Sequence, residues 1–134
     1  MPEGLTPDET ALDRASRLDF DEIELAVRAF ARLGVSKLRL TGGEPLLRKN
    51  LPELVARLAA VPGITDLALT TNGSLLAGQA RALRQAGLAR LTVSLDALDP
   101  TLFKALSGGR GNVADVLAGI AAAEAAGFAS IKIN

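Results

Sequence analysis

The chain has 134 residues, with 15 Lys and Arg against 15 Asp and Glu, so it carries no formal net charge. That is the size of one small domain, and the balance excludes the basic excess of a nucleic-acid wrapper or a polybasic membrane-surface module. Hydrophobic residues at 49% and charged residues at 22% exclude disorder, while aromatics at 3% leave Leu, Ala, Val and Ile to build the core and argue against a base-stacking platform.

Residues 1–18 carry two Pro, one Gly and mixed charge and read as a lead-in loop. Asp19 with Glu22 three residues on is a capping box. Ile23, Ala26, Val27, Phe30 and Leu33 then recur at helical spacing until Gly34 ends the helix, and Val35 to Thr41 follows as a strand. The grammar repeats. Asn50 with Glu53 is expected to cap a helix through Val61, ended by Gly63, before a strand from Thr65 to Thr71. A helix from about Leu76 to Ala86 ends at Gly87, and Ala89 to Leu95 is a strand. Asp99, with Pro100 at the first helical position, caps a short helix. Asn112 starts a longer one that ends at Gly127, and Ser130 to Asn134 is a last strand. Alternating helices and strands predict parallel βα units.

Counting from Gly34, Gly63, Gly87 and Gly127 puts the strands in one frame. The fourth and sixth residues after each are Leu38 and Leu40, Leu67 and Leu69, Leu91 and Val93, Ile131 and Ile133, all aliphatic. The fifth are Arg39, Ala68, Thr92 and Lys132, and the seventh are Thr41, Thr70, Ser94 and Asn134. Because side chains alternate across a strand, one sheet face is aliphatic and lies under helices, and the other is polar. A doubly wound sheet would bury both faces and read as continuous apolar runs, and a closed barrel would fill its lumen with branched apolar side chains. The expected fold is therefore α/β, a partial (β/α) barrel of four parallel strands with helices outside and a polar lumen. Arg39 and Lys132 are read as the two charges on that lumen face, suited to an anion such as a triphosphate.

Active groups of βα folds gather at the carboxyl ends of strands. Those ends read Thr41-Gly42-Gly43-Glu44-Pro45, Thr70-Thr71-Asn72-Gly73 and Ser94-Leu95-Asp96. Gly42-Gly43 lets a ligand approach the backbone, and Glu44 is an acceptor for an ammonium group. Asn72 and Asp96 sit at the rim, where a ribose contact or a loop contact is open, with the structural role preferred for Asp96. Arg48 and Lys49 are read as solvated charges flanking the site. Gly108-Gly109-Arg110-Gly111 is either a phosphate nest or a flexible connection, the latter preferred. The chain has no Cys and no His, so it supplies no disulfide, no Cys or His metal ligand and no Ser-His or Cys-His pair. No basic-then-apolar leader opens it and no apolar run reaches about 18 residues, so no membrane partner is expected, and the expected location is the cytoplasm.

Leu38-Arg39-Leu40-Thr41-Gly42-Gly43-Glu44-Pro45-Leu46-Leu47-Arg48 resembles the signature of radical S-adenosylmethionine (SAM) enzymes. More narrowly, Met1-Pro2-Glu3-Gly4, Thr70-Thr71-Asn72-Gly73, Ser94-Leu95-Asp96-Ala97-Leu98-Asp99 and Ile131-Lys132-Ile133-Asn134 resemble, in order and spacing, the GTP 3′,8-cyclase family of molybdenum cofactor biosynthesis. The resemblance covers essentially the whole chain. In that family a C-x3-C-x2-C loop directly precedes Met-Pro-Glu, and a C-terminal part holds a second iron–sulfur cluster and a glycine-ended tail. Neither is in these residues, so the chain reads as a central fragment, inactive alone. Residues 1–18 would follow the cluster loop, and 19–134 would be a partial barrel cut at both ends.

The resemblance implies a lyase that uses SAM and a [4Fe-4S] cluster to convert GTP to 3′,8-cyclo-7,8-dihydro-GTP. It implies that Gly42, Gly43 and Glu44 receive the SAM amino group, that Ser94 binds SAM with Asn72 in the same group, and that Arg39, Thr70 and Lys132 hold GTP. No catalytic side chain and no metal ligand is expected here. The parent is expected as a homodimer with no nucleic-acid partner. Two other readings stay open: a piece of a peptide-modifying radical SAM enzyme, and a non-catalytic module that binds an anionic metabolite.

Overall fold

A computed structural model describes residues 17–134; the lead-in reading for residues 1–16 lies outside the described residues. Helix α1 spans Phe20–Arg32 and strand β1 Lys37–Leu40. A 3-10 turn at Pro45–Leu47 leads to α2, Leu51–Ala59, and β2, Asp66–Thr71. A second 3-10 turn at Leu76–Gly78 precedes α3, Ala80–Gln85, and β3, Arg90–Val93. Helices α4, Pro100–Leu106, and α5, Val113–Ala125, then lead to β4, Ile131–Ile133. The four strands are parallel and lie in the order β1-β2-β3-β4. That consecutive order, with the apolar face under the helices, is an arc of a (β/α) barrel rather than a doubly wound sheet.

Local chemistry accounts for most helix starts. Asp19 and Glu22 exchange hydrogen bonds of 2.8 Å with each other's backbone N–H, the reciprocal box expected for α1. Asp99 accepts from Leu102 N, and Asn112 from Asp115 N, at 2.8 Å each. Asn50 departs from expectation. Its φ of +57° is left-handed, so its side chain makes no capping bond and only its carbonyl accepts, from Glu53 N and Leu54 N. Asn tolerates that conformation because its short amide can bond locally. The helix expected from Leu76 to Ala86 is broken at Gln79, whose φ/ψ of −123°/−15° is not helical. The four frame glycines all have positive φ, between +87° and +104°, which is what lets each helix turn directly into its strand.

The aliphatic rows form the core. Leu67, Leu69, Leu91 and Val93 lie beneath Leu54, Val55, Leu58, Leu83 and Val116 of the helices, all buried. Each fully buried Leu contributes about 1.5–3 kcal/mol relative to exposure. Two expectations need correction. First, Leu38 pairs with Leu67, but Leu91 pairs with Leu69, so β3 and β4 are shifted by two residues against the glycine frame. A two-residue slip keeps each side chain on its face and supplies the stagger that a curling sheet needs. Second, Arg39 and Lys132 are not the only charges on the polar face. Lys37, Asp66 and Arg90, each third after a frame glycine, share its parity, and Arg90 grips Asp66 through two nitrogens. These lie at the amino-terminal rim, away from the strand ends.

Phe30 and Leu33 emerge 53% and 82% exposed instead of packing inward. Helix α1 turns Ile23 and Ala31 to the core and leaves these two side chains outside. Its polar side is tied to α2 instead. Arg57 donates to Asp21 and to Glu24 Oε2 (2.7 Å), while Arg28 donates to Glu24 Oε1. These bonds, from Arg57 first and Arg28 second, hold the Glu24 carboxyl below its ordinary pKa of 4.5, against a smaller opposing effect of burial. A depressed carboxyl pKa adds stability that is present above 4.5 and is lost as pH falls from there through the folded-state value. Urea unfolding against pH should therefore show Glu24→Gln costing more stability at pH 7 than at acid pH below 4.5. An equal loss at both would show that the ion cluster contributes nothing.

Candidate functional site

The carboxyl ends of β1, β2 and β3 open onto a cleft of about 180 Å³. Thr41, Gly42, Gly43 and Glu44 form one wall, Thr70, Thr71 and Asn72 the floor, and Ser94 the far side. Six predicted site residues (Gly42, Gly43, Glu44, Thr70, Asn72 and Ser94) thus meet in one place. A larger hollow of about 510 Å³ lies between α3 and α5, but its lining is mostly Ala and offers few converging polar groups.

The wall is open backbone. A Cβ built at Gly42 or Gly43 would meet nothing within 4 Å, so a ligand can reach the main chain there. Glu44 is the most connected side chain of the cleft. Its Oε1 accepts from Leu46 N (2.9 Å) and from the Thr71 hydroxyl (2.7 Å), and its Oε2 accepts from Asn72 N (2.8 Å). A carboxylate has about four acceptor sites, so one is left for a ligand donor. Buried Leu46 anchors this loop to the core, and Gln79 Nε2 holds its carbonyl at 2.9 Å.

Below the cleft, Arg39 reaches across β2. Its Nη1 donates to Thr70 Oγ1 (2.9 Å) and to Thr92 Oγ1 (3.0 Å), which leaves the rest of the fork free to meet an anion. Lys132 is exposed on β4, level with Thr92 and Thr70. It faces the same side without lining the cleft, and it stands two residues nearer the carboxyl ends than Arg39 because of the register slip. Asp96, Lys49 and Arg110 are exposed. Arg48 is not a free flanking charge: it donates to Leu18 O and stacks 5.0 Å over the Phe20 ring.

Thr71 and Thr92 were not among the expected site residues. Thr71 is the eighth residue after Gly63, which places it on the aliphatic face, 2% exposed. A threonine in an aliphatic row signals a hydroxyl with an assigned partner, and that was its legible mark in the sequence. The hydroxyl donates to Glu44 and accepts from Gly73 N (3.0 Å).

The Radical SAM superfamily pattern matches residues 6–134. The chain belongs to the radical SAM superfamily. Among curated relatives, the GTP 3′,8-cyclase of Xanthomonas campestris pv. campestris (strain 8004) is 67% identical over the full 134 residues, which are 40% of that protein. The GTP 3′,8-cyclase of Acidothermus cellulolyticus is 58% identical over 96% of this chain and 35% of its own. GTP 3′,8-cyclase 1 of Pseudomonas aeruginosa is 53% identical over 92% of this chain and 37% of its own. The chain thus spans about two-fifths of the length of such relatives. No described helix is long and apolar enough to cross a membrane.

In this radical SAM chain the floor loop is seated from beneath by α5. A Cβ on Gly119 would lie 2.6 Å from the Gly73 carbonyl oxygen, and one on Gly73, at φ +80°, would lie 2.9 Å from Val93 Cγ1. Gly73→Ala should therefore lower stability by about 2 kcal/mol, through both strain and overlap. Gly78→Ala, at a site open to solvent, should stay within about 0.5 kcal/mol, as thermal or urea unfolding would show. Equal effects would mean that the α5 contact is looser than described.

Proposed function

We propose that these residues are the central part of a GTP 3′,8-cyclase, with the cleft taking the methionine end of SAM and the adjoining polar face taking GTP. The observation that carries this is the pairing of two surfaces on one sheet: an open Gly42-Gly43 backbone beside one spare Glu44 acceptor, and Arg39, its fork only partly engaged, on the same polar face as Lys132. The names of the relatives, at 53–67% identity over nearly all of the chain, point the same way.

The residues present fit SAM. Its ammonium matches the remaining Glu44 acceptor site and the Gly42 and Gly43 carbonyls, and its polar groups match Ser94 and Asn72. When bound to a reduced [4Fe-4S] cluster, SAM supplies hydrogen-atom abstraction. With no cysteine in the chain, the cluster's thiolate ligands are not among these residues, and no step through the cluster is assigned to them. The chain's own task is positioning. Arg39 and Lys132 neutralise a triphosphate, Thr70 orients the substrate beside Arg39, and the hydroxyl-lined face replaces the water that would quench a radical.

Two experiments test this. Replacing the corresponding segment of the Xanthomonas cyclase with these residues should preserve conversion of GTP to the 3′,8-cyclised product; an inert, well-folded hybrid would contradict the reading. In the active full-length protein, Lys132→Ala should weaken GTP binding about tenfold, the loss of one charge-assisted contact, while SAM still binds and is cleaved. Unchanged GTP affinity would remove Lys132 from the substrate site.

A further inference from the structure

We infer that Thr71 is a positioning residue for SAM, acting through Glu44 from the apolar side of the sheet. The inference rests on the SAM-binding reading of the cleft: Thr71 lies in the cleft floor, but its side chain is buried on the core face and acts through Glu44. The Thr71 side chain points to the core face with Leu67 and Leu69 and is 2% exposed. Both functions of its hydroxyl are committed: it donates to Glu44 Oε1 at 2.7 Å and accepts from Gly73 N at 3.0 Å.

Three chain segments therefore converge on one carboxylate. Leu46 N belongs to the Gly-Gly-Glu-Pro loop, the Thr71 hydroxyl to the end of β2, and Asn72 N to the loop beyond it. The loop turns on its own Asx bond, Ser74 N to Asn72 Oδ1 at 3.0 Å, and Gly73 is pressed against α5. Glu44 cannot rotate toward a ligand freely, because each rotation breaks one of these bonds. The carboxylate is held with one acceptor position unfilled, and the Thr71 hydroxyl fixes which one. What Thr71 contributes is direction: it keeps Glu44 aimed and holds the Gly42-Gly43 backbone at a set distance from Asn72. Arg39, Thr92 and Lys132 share no hydrogen bond with this network, so GTP binding should be insensitive to it.

Thr71→Val keeps the shape and removes the hydroxyl, and Thr71→Ser keeps the hydroxyl. In the anaerobically reconstituted full-length protein, Thr71→Val should weaken SAM binding about tenfold, the scale of one hydrogen bond to a charged group. GTP affinity should stay within about twofold, and Thr71→Ser should restore most of the SAM affinity. Hydrogen exchange of the ligand-free protein should show the Asn72 and Gly73 amides protected in the wild type and in Thr71→Ser but faster in Thr71→Val. Unchanged SAM affinity in Thr71→Val overturns the assignment. So does a parallel loss of SAM and GTP affinity that serine fails to rescue, since that marks general disruption of the fold. A wild-type protein that binds no SAM at all overturns the reading of the cleft and this assignment with it. SAM binding that is normal in the wild type and in Thr71→Val overturns the assignment alone.

Discussion

Alternation of side chains across a strand, kept in phase over four strands, is the constraint on which this structure depends. Leu38, Leu67, Leu69, Leu91, Val93 and Ile131 fall on one face and pack toward the helices, while Arg39, Thr70, Thr92 and Lys132 fall on the other. A one-residue slip anywhere would move a strand's Leu or Val out of the core, at about 1.5–3 kcal/mol for each side chain. The observed slip is two residues, the smallest that preserves the faces. It also lifts Lys132 above Arg39, so the two cations line a slope instead of facing each other.

Much of this was legible because it depends on local chemistry. Asp19 with Glu22, Asp99 with Pro100, and Asn112 each carry their capping signal within four residues, and each forms the expected bond. The parity of the strands was equally open to reading, since it needs only a period of two. Register was not, because it is settled by pairing between strands that are distant in sequence. Lys37, Asp66 and Arg90 stand one position before the aliphatic rows, as the third residue after each glycine, outside the frame of fourth to seventh residues. Asn50 misled because the sequence pattern Asn-x-x-Glu is the same whether its backbone is extended or left-handed, and only the approach of the preceding turn decides that.

Within the site, residue types pointed to a location better than to a task. Glu44 was legible as an acceptor in a glycine-rich loop, and three backbone and hydroxyl donors now occupy most of its capacity. Thr71 stands in the strand end Thr70-Thr71-Asn72-Gly73, and its burial makes it the link between that loop and Glu44. Arg48 looked solvated, but its reach to Leu18 O and the Phe20 ring ties the start of α1 to the loop after β1. In each case the sequence names the donor or acceptor, and the tertiary fold names its partner.

The arrangement separates two duties on one sheet. In the proposed function the strand ends, with their open backbone and held carboxylate, take a cationic group, and the face behind them, with its hydroxyls and guanidinium, takes an anionic one. The most direct test is the ratio of affinities for GTP and guanosine, measured in the full-length protein with Arg39 and with Arg39→Ala. The account predicts that the wild-type preference for GTP falls by about tenfold or more in Arg39→Ala, because the guanidinium meets the phosphates. An unchanged ratio would contradict it and leave the polar face of this sheet without its proposed ligand.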